Sequence, residues 1–452
     1  MLGLKEDIYL LDQGTYGIIY DTNPRFTLSK IRIVGKIDFY ILSLFSYKYS
    51  ANQIIEIINN SNFLDKKIDT KWMDKFLKKY EEYITDTFCT PKNVILNNII
   101  GSFNKKYNNR NRTMYPIMLS IRLTNRCDSK CIYCFSNSNN GNKEDLNFKY
   151  LIKLLDESKL AGLRSLNLTG GDPMLYPNIF DLILYLENNK FSYQISTKKI
   201  LTDAEIHKLS NTGLKKIQFS IDSIDDDLNY HLIGKKDYFS KMSKVIEKCK
   251  QNGIKVYVNT VIMSNNIKEI KTMNQKLRLL GVDKHFLTPF LISKGRGDKS
   301  LAANEADFLN LQREITENSN DGFYGEISIP EQDENYSFYD GQHNKCSGGR
   351  YSLVINNNGD VTICERLLDN KMYIVGNVYE DSITNIWNGR KLINLIYPKR
   401  DYLKKTNCYY CENFEKCILK QGICYARVNY VSNNKYDIDP FCNLSEKKVR
   451  FH

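Results

Sequence analysis

Three thiols fall within eight residues, Cys127-Asp-Ser-Lys-Cys131-Ile-Tyr-Cys134, just after a strand-like run at 119–123. A structural zinc site closes its tetrahedron with four protein ligands, whereas three thiolates on a cubic iron-sulfur cluster leave one iron free for an outside molecule. The trio therefore suits redox chemistry at an incompletely ligated cluster. A zinc knuckle borrowing a distant fourth ligand, or unrelated free thiols, are the competing readings. Downstream lies Thr169-Gly170-Gly171-Asp172-Pro173. Its two glycines let backbone approach a ligand closely, and Asp172 can accept a hydrogen bond from an ammonium group. Taken alone, such a stretch is more often just a turn.

Strand and helix patterns alternate about six times after the thiol loop. The pattern predicts strands at 117–123, 165–169, 193–197, 216–222, 255–262 and 285–290, separated by amphipathic helices centred near Leu154, Leu184, Ile206, Val245 and Ile270. This is the signature of a parallel sheet, and chemistry in such α/β barrels gathers at the C-terminal strand ends. The polar residues fall there. Strand one ends at the thiols, strand two at the glycine turn, and strand three at Ser196-Thr197-Lys198. Strand four ends at Ser220 and Asp222, which alternation puts on one face, suited to ribose hydroxyls or a carboxylate. Strand five offers Asn259, and strand six Pro289, followed by Gly295-Arg296-Gly297. For each polar residue singly, a strand-end cap is the competing reading.

The C-x3-C-x2-C spacing with Tyr133 before the last Cys resembles the cluster loop of the radical S-adenosylmethionine (SAM) superfamily. The Gly170-Gly171-Asp172-Pro173 turn is similar to that family's Gly-Gly-Glu-Pro turn, with Asp in place of Glu. The resemblance implies a partial (β/α)6 barrel with a 4Fe-4S cluster on Cys127, Cys131 and Cys134. It also implies SAM held by Tyr133, Gly170, Gly171, Asp172, Pro173, Ser196, Ser220, Asp222 and Asn259. Relatives often carry an Arg shortly after strand four that pairs with the SAM carboxylate. Here Ile233-Gly234-Lys235-Lys236 stands in that place, a departure that makes Lys235 the candidate.

From residue 346 onward come Cys346, Cys364, Cys408, Cys411, Cys417, Cys424 and Cys442. Cys364 closes a hairpin-like run: strand 352–355, a turn at 356–360, then 361–364. The order resembles the SPASM extension, which carries auxiliary 4Fe-4S clusters in peptide-modifying radical SAM enzymes, although six residues separate Cys417 from Cys424 where the family usually has three. The resemblance implies that Cys346, Cys364 and Cys424 serve an inner auxiliary cluster, leaving an iron open for a substrate thiolate. Cys408, Cys411, Cys417 and Cys442 would close an outer one. A zinc-ribbon tail is the competing reading. Of 12 Cys, only Cys89 and Cys249 stand outside these groups, in helix-like contexts that suit packed thiols.

The first hundred residues predict two or three antiparallel strands within 7–33. Helices are then expected at 37–46, at 54–60 opened by a Ser50-Ala-Asn-Gln53 capping box, and at 69–87 with Trp72, Phe76, Tyr80 and Tyr83 on one face. This α+β pattern resembles the winged-helix-like element to which the leaders of ribosomally made precursor peptides add a strand. Residues 107–113 read as a linker. The expected organisation is 1–106 for leader recognition, 114–318 for the barrel and 340–452 for the cysteine-rich SPASM domain.

The net charge of +12 is scattered rather than gathered in one block, which argues against a nucleic-acid partner and leaves room for a mildly basic groove for an acidic peptide. No targeting segment or run of eighteen apolar residues is present, so a cytoplasmic protein without membrane attachment is expected, and cysteines in a reducing compartment argue for metal. Together the parts resemble maturases that form thioethers between a Cys sulfur and a carbon of a precursor peptide, the sactipeptide and ranthipeptide types, with flavodoxin or ferredoxin as electron donor. Two other enzymatic outcomes compete: a carbon-carbon crosslink, or oxidation of a Cys or Ser of a protein as in sulfatase maturases. A metal-stabilised peptide-binding adaptor or electron carrier is the non-enzymatic alternative.

Overall fold

Alternation along the strands decides the architecture. Leu119 and Ile121, Leu166 and Leu168, Phe219, Val256 and Leu287 are at most 1% exposed. Burying each apolar side chain stabilises the fold by roughly 1.5–3 kcal/mol. The residues between them are polar and bond to one another: Asn167 to Ser120 at 3.1 Å, Gln194 to Gln218 at 2.8 Å, Gln218 to Ser196 at 3.0 Å and Thr288 to Asn259 at 2.9 Å. Polar side chains from successive strands therefore share one face, opposite to the apolar one, which sets this sheet apart from barrels whose interiors are filled by branched apolar residues.

The structure is a computed structural model. It describes residues 3–5, 8–13, 16–21, 31–47, 49–60, 67–85, 94–95, 112–136, 138, 144–291, 295–297, 299–317, 346–420, 422–440 and 442. Cys89 and most of the expected linker lie outside the described residues. Nine strands form one sheet: β1 (Met118–Arg122), β2 (Ser165–Thr169), β3 (Ser192–Thr197), β4 (Lys216–Ser220), β5 (Lys255–Ile262), β6 (Lys284–Pro289), β7 (Ser352–Ile355), β8 (Asp360–Thr362) and β9 (Gly376–Asn377). Their order is β6-β5-β4-β3-β2-β1-β7-β8-β9. The pairs β3/β4, β4/β5 and β5/β6 are parallel, as expected of a partial radical SAM barrel.

Two features of this sheet were not expected. Strand β4 stops at Ser220 rather than 222, where the Asp222 side chain takes over and accepts from the Val261 N–H at 3.0 Å. The 352–364 hairpin forms, with Gly359 in its turn at φ +87, but β7 also pairs in parallel with β1, from Ser352 opposite Met118 to Ile355 opposite Ile121. One sheet thus runs through segments 114–318 and 340–452.

The chain divides into two units, Met1–Ile117 with Leu155–Ser165, and Met118–Leu154 with Leu166–His452. In the first, strands Ile8–Asp12, Tyr16–Asp21 and Ile31–Gly35 are antiparallel, and Val94–Ile95 joins in parallel. Helices follow at Lys36–Ser46, at Ala51–Asn59 with the Ser50/Gln53 capping box formed, and at Thr70–Lys79 capped by Asp69. The third helix ends eight residues before the expected 87. There Tyr80 turns back to the Leu77 carbonyl, and Ile84–Thr85 pairs with Gly3–Leu4. Among the described residues no helix is long and apolar enough to cross a membrane.

Candidate metal and cofactor site

The thiol loop has little regular structure of its own, so its backbone groups need partners elsewhere. They find them on three sides. The Gly171 and Asp172 N–H groups donate to the Thr124 and Arg126 carbonyls, both at 2.8 Å. Lys130 and Ile132 donate to the Ile233 and Leu232 carbonyls at 2.8 and 3.0 Å. Those carbonyls close helix Asp226–Ile233, which Gly234 caps in the left-handed conformation at φ +73, so the loop satisfies acceptors that a helix end leaves open. Finally, Arg296 N–H donates to the Cys134 carbonyl at 2.9 Å.

The two glycines of the second motif thus approach backbone rather than ligand. A Cβ on Gly170 would stand 2.8 Å from the Thr124 carbonyl oxygen, and one on Gly171 would stand 2.2 Å from that of Arg126. Asp172 is buried and already engaged. Its carboxylate accepts from the Thr197 hydroxyl at 2.7 and 2.8 Å, from Lys198 N–H at 2.9 Å and from Met174 N–H at 3.0 Å. Burial raises its pKa, and these bonds oppose the rise. Pro173 opens the short turn Pro173–Leu175 that Asp172 caps. Asp172 therefore ties the ends of β2 and β3 together.

Cys127, Cys131 and Cys134 lie within electrostatic range of one another and are free of disulfides. Burial pushes the Cys131 thiol up to about 12, with Lys198 pulling the other way. At Cys134 burial also pushes upward. There, hydrogen bonds from the Ser136 hydroxyl, 3.4 Å from Sγ, and from the backbone at Ser138 and Ser136 win and hold the thiol below its usual value. Burial also raises the Cys127 thiol, so only at Cys134 do donors outweigh burial and favour the thiolate, while three free thiols on one short loop fit the donor set of a cubic cluster. Among the described residues no three His, Cys, Asp or Glu side chains stand at the spacing that one bound ion requires.

Beside the loop, the Tyr133 hydroxyl donates to Asp222, and Lys198 Nζ lies 3.2 Å from the same carboxylate and 5.5 Å over the Tyr133 ring. Burial works against the Lys198 ammonium, but Asp222 and Cys131 outweigh it and raise its pKa. Ser196 and Ser220 are 3.1 Å apart on adjacent strands, and Ser220 is in register with Asn259. Ser196, Ser220 and Asn259 thus stand side by side on neighbouring strands, and Asp222 lies within electrostatic range of Cys131, whereas Gly170, Gly171, Asp172 and Pro173 belong to the backbone seam. Lys235 joins neither group, because its Nζ bonds Asp128 at 2.7 Å and the Lys198 carbonyl at 2.8 Å. The ammonium beside Cys131 is that of Lys198, which is paired with Asp222. Its place at the end of strand three was the only sequence signal for it.

The later cysteines fall into two groups by electrostatic proximity. Cys346, Cys364 and Cys424 lie within electrostatic range of one another. Cys408 and Cys417 lie in range of each other and of Cys411 and Cys442. The longer gap before Cys424 is taken up by helix Phe414–Lys420 and by Gly422, at φ +74, whose N–H donates to the Cys417 carbonyl at 2.8 Å. Buried Arg350 caps that helix through the Ile418 and Leu419 carbonyls at 2.6 and 3.3 Å. Cys424 N–H is held by Asp439, which Arg427 grips with two bonds of 2.8 and 2.7 Å. Cys249 is buried in helix Tyr238–Gln251, a packed thiol.

Residues 121–277 match the radical SAM superfamily, and residues 346–417 match the SPASM iron-sulfur cluster-binding domain. The chain carries radical SAM and SPASM domains. Such domains bind 4Fe-4S clusters. Among the relatives is the GTP 3',8-cyclase of Clostridium perfringens (strain SM101 / Type A), 28% identical over 41% of the chain and 59% of the cyclase. The match thus spans under two thirds of that relative's length. The subtilosin biosynthesis protein AlbA of Bacillus subtilis (strain 168) is 25% identical over 74% of the chain and 72% of AlbA. The fold is similar to crystalline SuiB of Streptococcus suis bound to its precursor peptide SuiA, with TM-score 0.66, 19% identity and coverage of 99% and 100%.

Proposed function

We propose that this chain is an enzyme that installs a thioether crosslink, Cys sulfur to carbon, in a ribosomally made precursor peptide. The observation that carries the reading is the pairing of two three-thiol groups on one sheet: Cys127, Cys131 and Cys134 after β1, and Cys346, Cys364 and Cys424 around the β7/β8 hairpin. AlbA's role in subtilosin biosynthesis and SuiB's peptide-bound structure support a peptide substrate. When bound, a cluster with SAM supplies, on one-electron reduction, a 5'-deoxyadenosyl radical that takes hydrogen from an unactivated carbon.

The chain's own residues do the rest. Lys198, carried by Asp222, offers a cation for the SAM carboxylate, and Ser196, Ser220 and Asn259 offer hydrogen bonds to the nucleoside. The polar face of the sheet positions the peptide, and the loop seams keep water from the reacting carbon. Cys346, Cys364 and Cys424 would hold an inner cluster with a position left for a substrate thiolate, and Cys408, Cys411, Cys417 and Cys442 would hold an outer one, with a flavodoxin or ferredoxin as electron donor. In residues 1–106, strand Ile31–Gly35 ends the sheet order, the edge to which a leader can add. Arg32 lies over Tyr80 at 4.8 Å nearby.

Two measurements test this. Lys198→Ala is expected to weaken SAM binding about tenfold or more, read by the EPR change of the reduced cluster on titration, with Lys235→Ala affecting it less. The reverse order would return the role to Lys235. Mass spectrometry of a co-expressed precursor is expected to show a loss of about two mass units per bridge with the bridged Cys no longer alkylated. The same loss with every Cys still alkylatable would mean a carbon-carbon crosslink instead.

A further inference from the structure

Arg122 closes β1 with its side chain on the polar face, and it is 1% exposed. One arm of its guanidinium, Nη2, donates to the Ser136 carbonyl at 2.9 Å and to the Ser138 hydroxyl at 3.2 Å. Ser136 is the residue whose hydroxyl lies against Cys134 Sγ. The other arm, Nη1, donates to Asp369 at 3.3 Å. Asp369 lies on the segment that begins at Cys364, and the same segment sends Glu365 to Ser120 and Asn167, on β1 and β2. Arg122 Nε is buried without an acceptor among the described residues.

One buried guanidinium therefore joins the loop of the first thiol trio to the segment of the second. Its planar fork aims separate N–H groups at the two sides in one fixed geometry, which the point charge of an ammonium does not impose. We propose that Arg122 is a positioning residue shared by the SAM cluster and the inner auxiliary cluster, locking their loops together and raising the reduction potential of both. The inference rests on the metal reading above. Reduction adds negative charge to a cluster, so a fixed cation in a dry surrounding favours the reduced form. A purely structural arginine would leave the potentials where they are.

The test is an EPR-monitored redox titration of the full chain, anaerobically reconstituted with iron and sulfide. In Arg122→Met both signals are expected to move to more negative potential, with the reduced-to-oxidised ratio at a fixed potential falling about tenfold, about 59 mV for one electron. Arg122→Lys, keeping charge, is expected to restore part of the shift. Asp369→Asn, at the half-exposed end of the bridge, removes the balancing anion and is expected to move both potentials the other way. An unmoved potential at either cluster in Arg122→Met overturns the proposal. If that variant fails to take up iron, Asp369→Asn decides, and no positive shift there overturns it equally. A wild-type chain without cluster signals would sink the metal reading itself, and this inference with it.

Discussion

Cys127→Ala protein is expected to hold about eight irons per chain where the wild type holds about twelve, and to form no 5'-deoxyadenosine from SAM under reducing conditions. Two thiolates cannot keep a cubic cluster with an open iron, and among the described residues the nearby carboxylates are engaged, Asp128 with Lys235 and Asp172 with Thr197 and backbone N–H groups. The seven later cysteines stand in their own groups and should retain their iron. Iron and zinc analysis with chromatography of the nucleoside products reads both effects. Zinc in place of iron at the loop, or undiminished 5'-deoxyadenosine in the variant, would overturn the assignment.

Gly171→Ala is expected to be nearly as damaging, although it removes no functional group. Its Cβ would lie 2.2 Å from the Arg126 carbonyl oxygen and 2.6 Å from the carbonyl carbon, and backbone cannot rotate aside as a side chain does. Overpacking costs typically about 1–3 kcal/mol. Here the cost falls on the seam in which Gly171 and Asp172 N–H groups meet the two carbonyls leading into Cys127. SAM cleavage is expected to fall about a hundredfold or more, with a matching loss of SAM-cluster iron and unchanged circular dichroism. Gly35→Ala is the control, since a Cβ there meets nothing within 4 Å and its backbone is extended at φ −61. If Gly171→Ala keeps its cluster and its rate, the seam does not position the loop.

Much of this was legible from local pattern. The spacing of Cys127, Cys131 and Cys134 and the order of the later cysteines marked which thiols lie near one another, since short spacing in the chain limits how far they can part. Apolar alternation placed β2 and β5 at their observed limits. The end of the third N-terminal helix was hidden, because what stops it is a strand partner some eighty residues away, Gly3–Leu4.

By itself the amino-acid order determined which side chains could hold metal, how many thiols each group has, and that a parallel sheet carries them. Only the tertiary structure decided what those residues touch. It showed that Gly170 and Gly171 are pressed against backbone, that Asp172 is spent on Thr197, that Lys235 belongs to Asp128 while Lys198 faces the thiols, and that β7 pairs with β1 across more than two hundred residues. Covalent spacing limits ligand sets to a few patterns, whereas the partner of a carboxylate or a strand edge is chosen through space among all that folding brings near.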